Sequence, residues 1–199
     1  MASITTQVAA SADDAQELSA GTVDTSGNAL NASSANQYIG LAFSSASFPD
    51  LKNAVITGAY LDMYLTSSDN DTPNLTIYGE ATDYASSFSG AINEISSRTK
   101  TTAGITWSGS NIGTGWKTSP DIAAVIQEVI DRPGWSSSLG IVIIVKGNSG
   151  ASYFRTRSYD GNSSQAAKLT IEYEAAGQPA IARARLVPGM RRPHGSQGW

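Results

Sequence analysis

Residues 139–145 read LGIVIIV, and this run constrains the fold more than any other stretch of the chain. It is far shorter than the roughly 20 apolar residues a membrane-spanning helix needs. Its β-branched side chains restrict their own rotamers and pack best on a pleated surface, so the run reads as a central strand. The clearest helix lies just upstream. Ser119, Pro120 and Asp121 form a helix start: a side-chain oxygen for free amides, a ring suited to the first helical position, and a carboxylate facing the positive end of the dipole. Ile122, Val125, Ile126, Val129 and Ile130 then recur on one helical face, and Pro133 with Gly134 ends the pattern. Downstream, residues 152–159 and 167–173 read as two strands around the turn Asp160, Gly161 and Asn162.

Earlier in the chain the pattern is alternation. Ile4, Thr6 and Val8 suit an opening strand, and Ile39, Leu41 and Phe43 a second. Residues 55–65 give the longest run, with Ala59, Leu61, Met63 and Leu65 on one face and Tyr60, Asp62 and Tyr64 on the wetter one. Leu75 and Ile77 continue the theme, while residues 19–36 read as a long connection. Residues 81–118 look like loop, with one strand expected near 104–108. Short alternating strands, many turn residues and a single helix predict an all-β chain: an antiparallel β-sandwich, specifically a jelly roll, over residues 1–174.

After residue 174 the composition changes to a basic, Pro- and Gly-rich C-terminal arm, residues 175–199. The arm holds Arg183, Arg185, Arg191 and Arg192 and no acid, leaving nine basic residues against 17 acidic ones in the first 174. An acidic body is a poor match for nucleic acid, whereas the arm suits an acidic or phosphate-bearing neighbour. Arg183, Arg185, Arg191, Arg192 and the terminal Trp199 are read as anchors to a partner, since Arg and Trp concentrate binding energy at interfaces.

There is no cysteine, which removes disulfides, thiolate metal sites and a cysteine nucleophile. The only histidine, His194, lies in the arm, so no Ser-His-Asp set or histidine metal cluster can be assembled in the domain. The carboxylates Asp83 and Glu94 are the pair a glycosidase reading would use, but an acid-rich surface supplies such pairs freely. The chain is therefore read as a non-enzyme needing no cofactor. Asp13 with Asp14, and Asp69 with Asp71, are candidate oxygen ligands for calcium, or ordinary turn residues.

Tyr153, Arg155, Arg157 and Tyr159 share a strand face by period-two geometry. Two readings stand. Paired guanidiniums beside aromatic rings are suited to an acidic sugar, and the same pattern describes a solvated outer face with Arg stems over tyrosines. Trp107 and Trp116 have the same two options, a stacking platform for a sugar or core packing, while Trp135 is placed to plug the helix end.

Taken in order, the opening VAASADDAQE, the alternating AVITGAYLDMYL, LTIYGEATDYASSF with ISSRTKTTAGITW, the helix PDIAAVIQEVIDRPGW, and YFRTRSYDG followed by AKLTIEY resemble the DNRLRE-type jelly-roll domains, which are similar to family 96 carbohydrate-binding modules. The resemblance implies a non-catalytic binding or structural module, found in secreted bacterial proteins and in virions. The first residues lack a basic n-region and an apolar h-region, and no attached catalytic domain is expected. These features, with the basic arm, favour a structural protein of a phage particle over the alternative, an extracellular module of a polysaccharide-acting system. The expected partners are other virion proteins through the arm, further copies of the chain and a surface polysaccharide, with no membrane.

Overall fold

The computed structural model describes residues 1–43, 48–66, 73–110, 112–148 and 154–176. Along them run β1 (Ala2–Gln7), β2 (Asp14–Glu17), β3 (Val23–Asp24), β4 (Ala29–Asn31), β5 (Tyr38–Phe43), β6 (Val55–Leu65), β7 (Asn74–Gly79), β8 (Ile105–Ser108) and β9 (Gly115–Thr118). The helix α1 (Ala123–Ile130) follows, then β10 (Ile141–Gly147), β11 (Arg155–Arg157) and β12 (Lys168–Glu174). They form two antiparallel sheets. The first has the order β1-β12-β6-β11-β4 with β9 also paired to β6, and the second β3-β2-β5-β10-β7-β8. The pairs β1–β12, β5–β10, β6–β9 and β7–β8 nest inside one another like one long hairpin and alternate between the sheets. This rolled-up hairpin is the jelly roll that the alternation predicts.

The core is made of the inward positions of both sheets. Leu61, Met63 and Leu65 of β6 meet Ile39, Leu41 and Phe43 of β5, Leu75 and Ile77 of β7, and Ile141, Ile143 and Val145 of β10. The unbroken apolar run of β10 has a second cause. Val142 and Ile144 face the other way and are covered with Ala15, Ala42, Phe88 and Ile95, because residues 81–104 lie over the outer face of the second sheet. Apolar side chains on both faces mark a strand buried from both sides. Phe88 sits so close to Gly40 that a Cβ there would lie 2.3 Å from its ring carbon. Polar side chains anchor this covering layer. Glu17 Oε2 accepts the amides of Ile95 and Ser96, both at 2.8 Å. Arg98 donates to Glu80 at 2.8 Å, Glu94 at 3.2 Å and the carbonyls of Ser86 and Ser87, with its guanidinium 4.4 Å from the Phe88 ring centroid.

The helix begins later than its sequence signals predict. Ser119, Pro120 and Asp121 do not form its first turn, which starts at Ala123. They continue the edge of β6 beyond β9. Ser119 N–H donates to Leu61 O and its hydroxyl accepts from Leu61 N–H, while Asp121 Oδ1 accepts from Ala59 N–H and Ala123 N–H. The buried face is the predicted one: Ile122, Val125, Ile126, Val129 and Ile130 are all within the core. Val125 and Val129 press onto Gly79 of β7, where a Cβ would lie 2.7 Å from Val129 Cγ2. Trp135 closes the helix end, buried, with its indole N–H donating to Gly140 O at 2.9 Å.

Residues 19–36, read as connection, contain β3 and β4, and the polar segment before them carries β2. No helix among the described residues is long and apolar enough to cross a membrane. Residues 177–199 of the C-terminal arm, with Arg183, Arg185, Arg191, Arg192 and Trp199, lie outside the described residues, as do Asp69, Asp71 and Tyr153.

Candidate functional site

The two sheets differ in what lies over them. The second is covered by residues 81–104, whereas the outward residues of β6 and β12 in the first are all partly exposed: Tyr60, Asp62 and Tyr64, then Lys168, Thr170 and Glu172. Register sets the side chains of this open face in rows. Tyr64 pairs with Trp116 of β9, and Thr156 of β11 pairs with Leu65, which puts Arg157 beside Tyr64 on its other side. One row therefore runs Arg157, Tyr64, Trp116 across three strands. In the next row Lys168 pairs with Asp62 and Asp62 with Thr118.

Contacts within the patch fix its shape. The Trp116 ring stands edge-on to Tyr64, centroids 5.5 Å apart at 88°. The Lys168 ammonium lies 4.3 Å from the Trp116 ring centroid, a cation over an aromatic face. The Thr118 hydroxyl donates to Asp62, the one acid in these two rows. Trp116 remains 40% exposed. Arg155, one step along from Arg157 on the same face, is exposed and pairs with Asn31 of β4. The Arg157 Nε–H is buried and has no acceptor among the described residues, an uncommon condition for so strong a donor. A sheet face of this kind offers ring surface for the C–H groups of a sugar and fixed cations for hydroxyl or carboxylate oxygens.

The structure thus brings Arg155, Arg157 and Trp116 onto one face and leaves out other residues named from the sequence. Trp107 is not part of a platform: it is 5% exposed and packs edge-on to Phe154 in the core, centroids 5.3 Å apart. Tyr159 is half-buried against the core, and its amide donates to Asp14 at 2.7 Å. Tyr64, Lys168 and Asp62 were missed as site residues. Alternation had put Tyr64 and Asp62 on the wetter face of β6, but nothing in the sequence shows that β9, β11 and β12 all pair with that strand.

The candidate calcium ligands do not converge. Asp13 accepts the Ser87 hydroxyl and Asp14 accepts the Tyr159 amide, so they tie different segments to the start of β2. Among the described residues no group of three or more carboxylate, histidine or cysteine side chains is arranged to hold a metal ion. Burial pushes the Asp14 carboxyl up to about 7, opposed by the Tyr159 amide and reinforced by the charges of Asp160 and Asp13. Asp83 and Glu94 are each engaged structurally: Asp83 pairs with Arg132 at 2.7 Å, while Glu94 accepts the amides of Ser89, Gly90 and Ala91 and pairs with Arg98. No protein-family model and no curated protein matches this chain.

Proposed function

We propose that this chain is a non-enzymatic structural protein of a phage particle: a jelly roll that presents the open face of its first sheet to surface polysaccharide and is fastened to the particle by residues 175–199. The observation that carries the binding half is the strip of Arg157, Tyr64, Trp116 and Lys168 on the sheet face whose outward β6 and β12 residues are partly exposed. Two cations and two rings in adjacent rows are suited to a sugar bearing a carboxylate, the ring faces taking C–H surface and the guanidinium the anion. The anchoring half rests on four arginines and no acid in the arm, and the virion setting on the resemblance to DNRLRE-type domains. The same strip favours a second reading, a carbohydrate-binding module of a secreted polysaccharide-acting system, in which the arm plays no part in assembly.

Titration of the full chain with a panel of acidic and neutral polysaccharides tests the binding half, followed by tryptophan fluorescence. Saturable binding that is lost in Arg157→Ala and Trp116→Ala is expected, and no response across the panel would sink it. Removal of residues 175–199 tests the anchoring half. The truncated chain is expected to keep its polysaccharide binding and fail to enter particles, and normal incorporation would leave only the second reading.

A further inference from the structure

One edge of the first sheet lacks the protection that isolated edges carry. Edge strands are a pairing hazard, and proteins blunt them with charges, prolines, bulges or brevity. Here β3 has two residues, one of them Asp24, β4 has three, β8 has four, and β9 has four with Lys117 among them. The remaining edge, β1, is six residues long, ASITTQ, with no charge, proline or glycine and no register shift against β12.

The direction of its free groups follows from the ladder. Val8 N–H donates to Ala167 O at 3.0 Å and Gln7 faces Lys168. Main-chain bonds to β12 therefore fall on Ala2, Ile4 and Thr6, and the N–H and C=O groups of Ser3, Thr5 and Gln7 point outward. No described residue bonds to them.

We propose that β1 pairs antiparallel with β1 of a second copy, across a two-fold axis at Thr5. In this register Thr5 faces its own counterpart and Ser3 faces Gln7, so all three outward N–H groups and all three outward C=O groups find partners. The flanking strands agree with it. Glu172 lies beside Ser3 and Lys168 beside Gln7, so each outer row of the joined sheet carries an acid at one end and a base at the other. The central row is threonine throughout, extending the pair already formed by the Thr5 and Thr170 hydroxyls at 2.9 Å. On the inner face Ile4, half-exposed in one copy, is covered by Thr6 of the other. Because the axis is perpendicular to the sheet, both open faces point the same way. If those faces hold polysaccharide as proposed above, the pair engages one polymer at two points and gains by avidity.

The test is the mass of the full chain in solution across a concentration series, by sedimentation, with amide hydrogen exchange read alongside. The expected result is a two-chain species whose Ser3, Thr5 and Gln7 amides are protected in step with dimer population. Thr5→Pro removes an outward N–H together with the hydroxyl paired to Thr170, at a position where an edge strand tolerates proline, and Thr5→Lys sets two like charges face to face. Both variants are expected to be monomeric with unchanged circular dichroism. A monomeric parent chain overturns the proposal, as does a dimer that survives both substitutions. A monomer that dimerises only after residues 177–199 are removed also overturns it, because the occupant of the edge is then the chain's own arm.

Discussion

Asp121 Oδ1 accepts the amide N–H of Ala59 at 2.9 Å, and the same oxygen accepts that of Ala123 at 2.9 Å. One carboxylate thus ends a strand edge and begins a helix. Gln127 repeats the device one turn on, its side chain accepting from Ile56 N–H and donating to Ala54 O. The helix takes the place of a neighbouring strand along the lower half of β6.

Asp121→Ala leaves the fully buried Ala59 with an unmet donor and takes the acceptor from the Ala123 amide at the start of α1. An unsatisfied buried donor costs about 1–3 kcal/mol, and the Ala123 amide loses its acceptor as well. The expected loss is about 2–3 kcal/mol in urea unfolding with the m-value unchanged. Asp121→Asn keeps an acceptor oxygen and is expected to lose less than about 1 kcal/mol.

Trp116→Ala separates binding from folding. The ring sits on an edge strand, 40% exposed, with Tyr64 and Lys168 as its described contacts. Aromatic pairs and surface cation–π contacts contribute roughly 0.5–1.5 kcal/mol each, so the fold should lose about 1–2 kcal/mol. Polysaccharide affinity is expected to fall at least about tenfold, since the platform itself is gone. Trp107→Phe, altering the buried ring against Phe154, should lower stability and leave affinity unchanged.

What the sequence shows of this fold follows what is local in it. Period-two alternation fixes β5, β6 and β7 and the face each buries, because Leu61, Met63 and Leu65 need only their own strand to declare themselves. β2 and β4 stay hidden because Asp14, Glu17 and Asn31 are polar residues whose partners, Tyr159, Ile95 and Gln16, lie far along the chain or across the sheet. The helix start is misread for the same reason: Ser119 and Asp121 are good caps in isolation, but the edge of β6 competes for their oxygens. Half of the binding strip was legible, Arg157 and Trp116, as was Arg155 beside it. Tyr64 and Lys168 were not, since a row across β11, β6, β9 and β12 exists only once register is known.

Asp14 gives the stability of the fold a dependence on pH. Its carboxyl is raised to about 7 in the folded chain against an ordinary 3.8, so the folded state holds the proton more tightly. The stabilisation is fully present below pH 3.8 and is lost as pH rises towards 7, above which the curve is flat again. The shift corresponds to at most about 4 kcal/mol. Asp14→Asn keeps an acceptor for the Tyr159 amide without a charge, so it should match the parent at pH 4 and exceed it at pH 8. Parallel curves for the two proteins across that range would show that Asp14 does not titrate in this way.

Arg98 holds the layer over the second sheet. Its side chain is 9% exposed, and it is the partner of two carboxylates exposed 12% and 15%, Glu80 and Glu94. Burial raises the Glu80 carboxyl even with the guanidinium beside it. Arg98→Met removes the compensating charge, frees the carbonyls of Ser86 and Ser87, and takes the cation from the face of Phe88. Breaking a buried pair from one side costs about 3–5 kcal/mol. The loss should appear first as faster hydrogen exchange at Ile95 and Ser96, whose amides are held by Glu17. Adding Glu80→Gln should restore part of the stability, because the stranded carboxylate is then neutral. The variant should also recover on acidification, since a carboxyl raised in the folded state stabilises it only while protonated. If Arg98→Met unfolds with the parent's midpoint at neutral pH, the covering layer is held by its apolar contacts alone, Phe88 on Gly40 and Ile95 in the cluster with Val142 and Ile144.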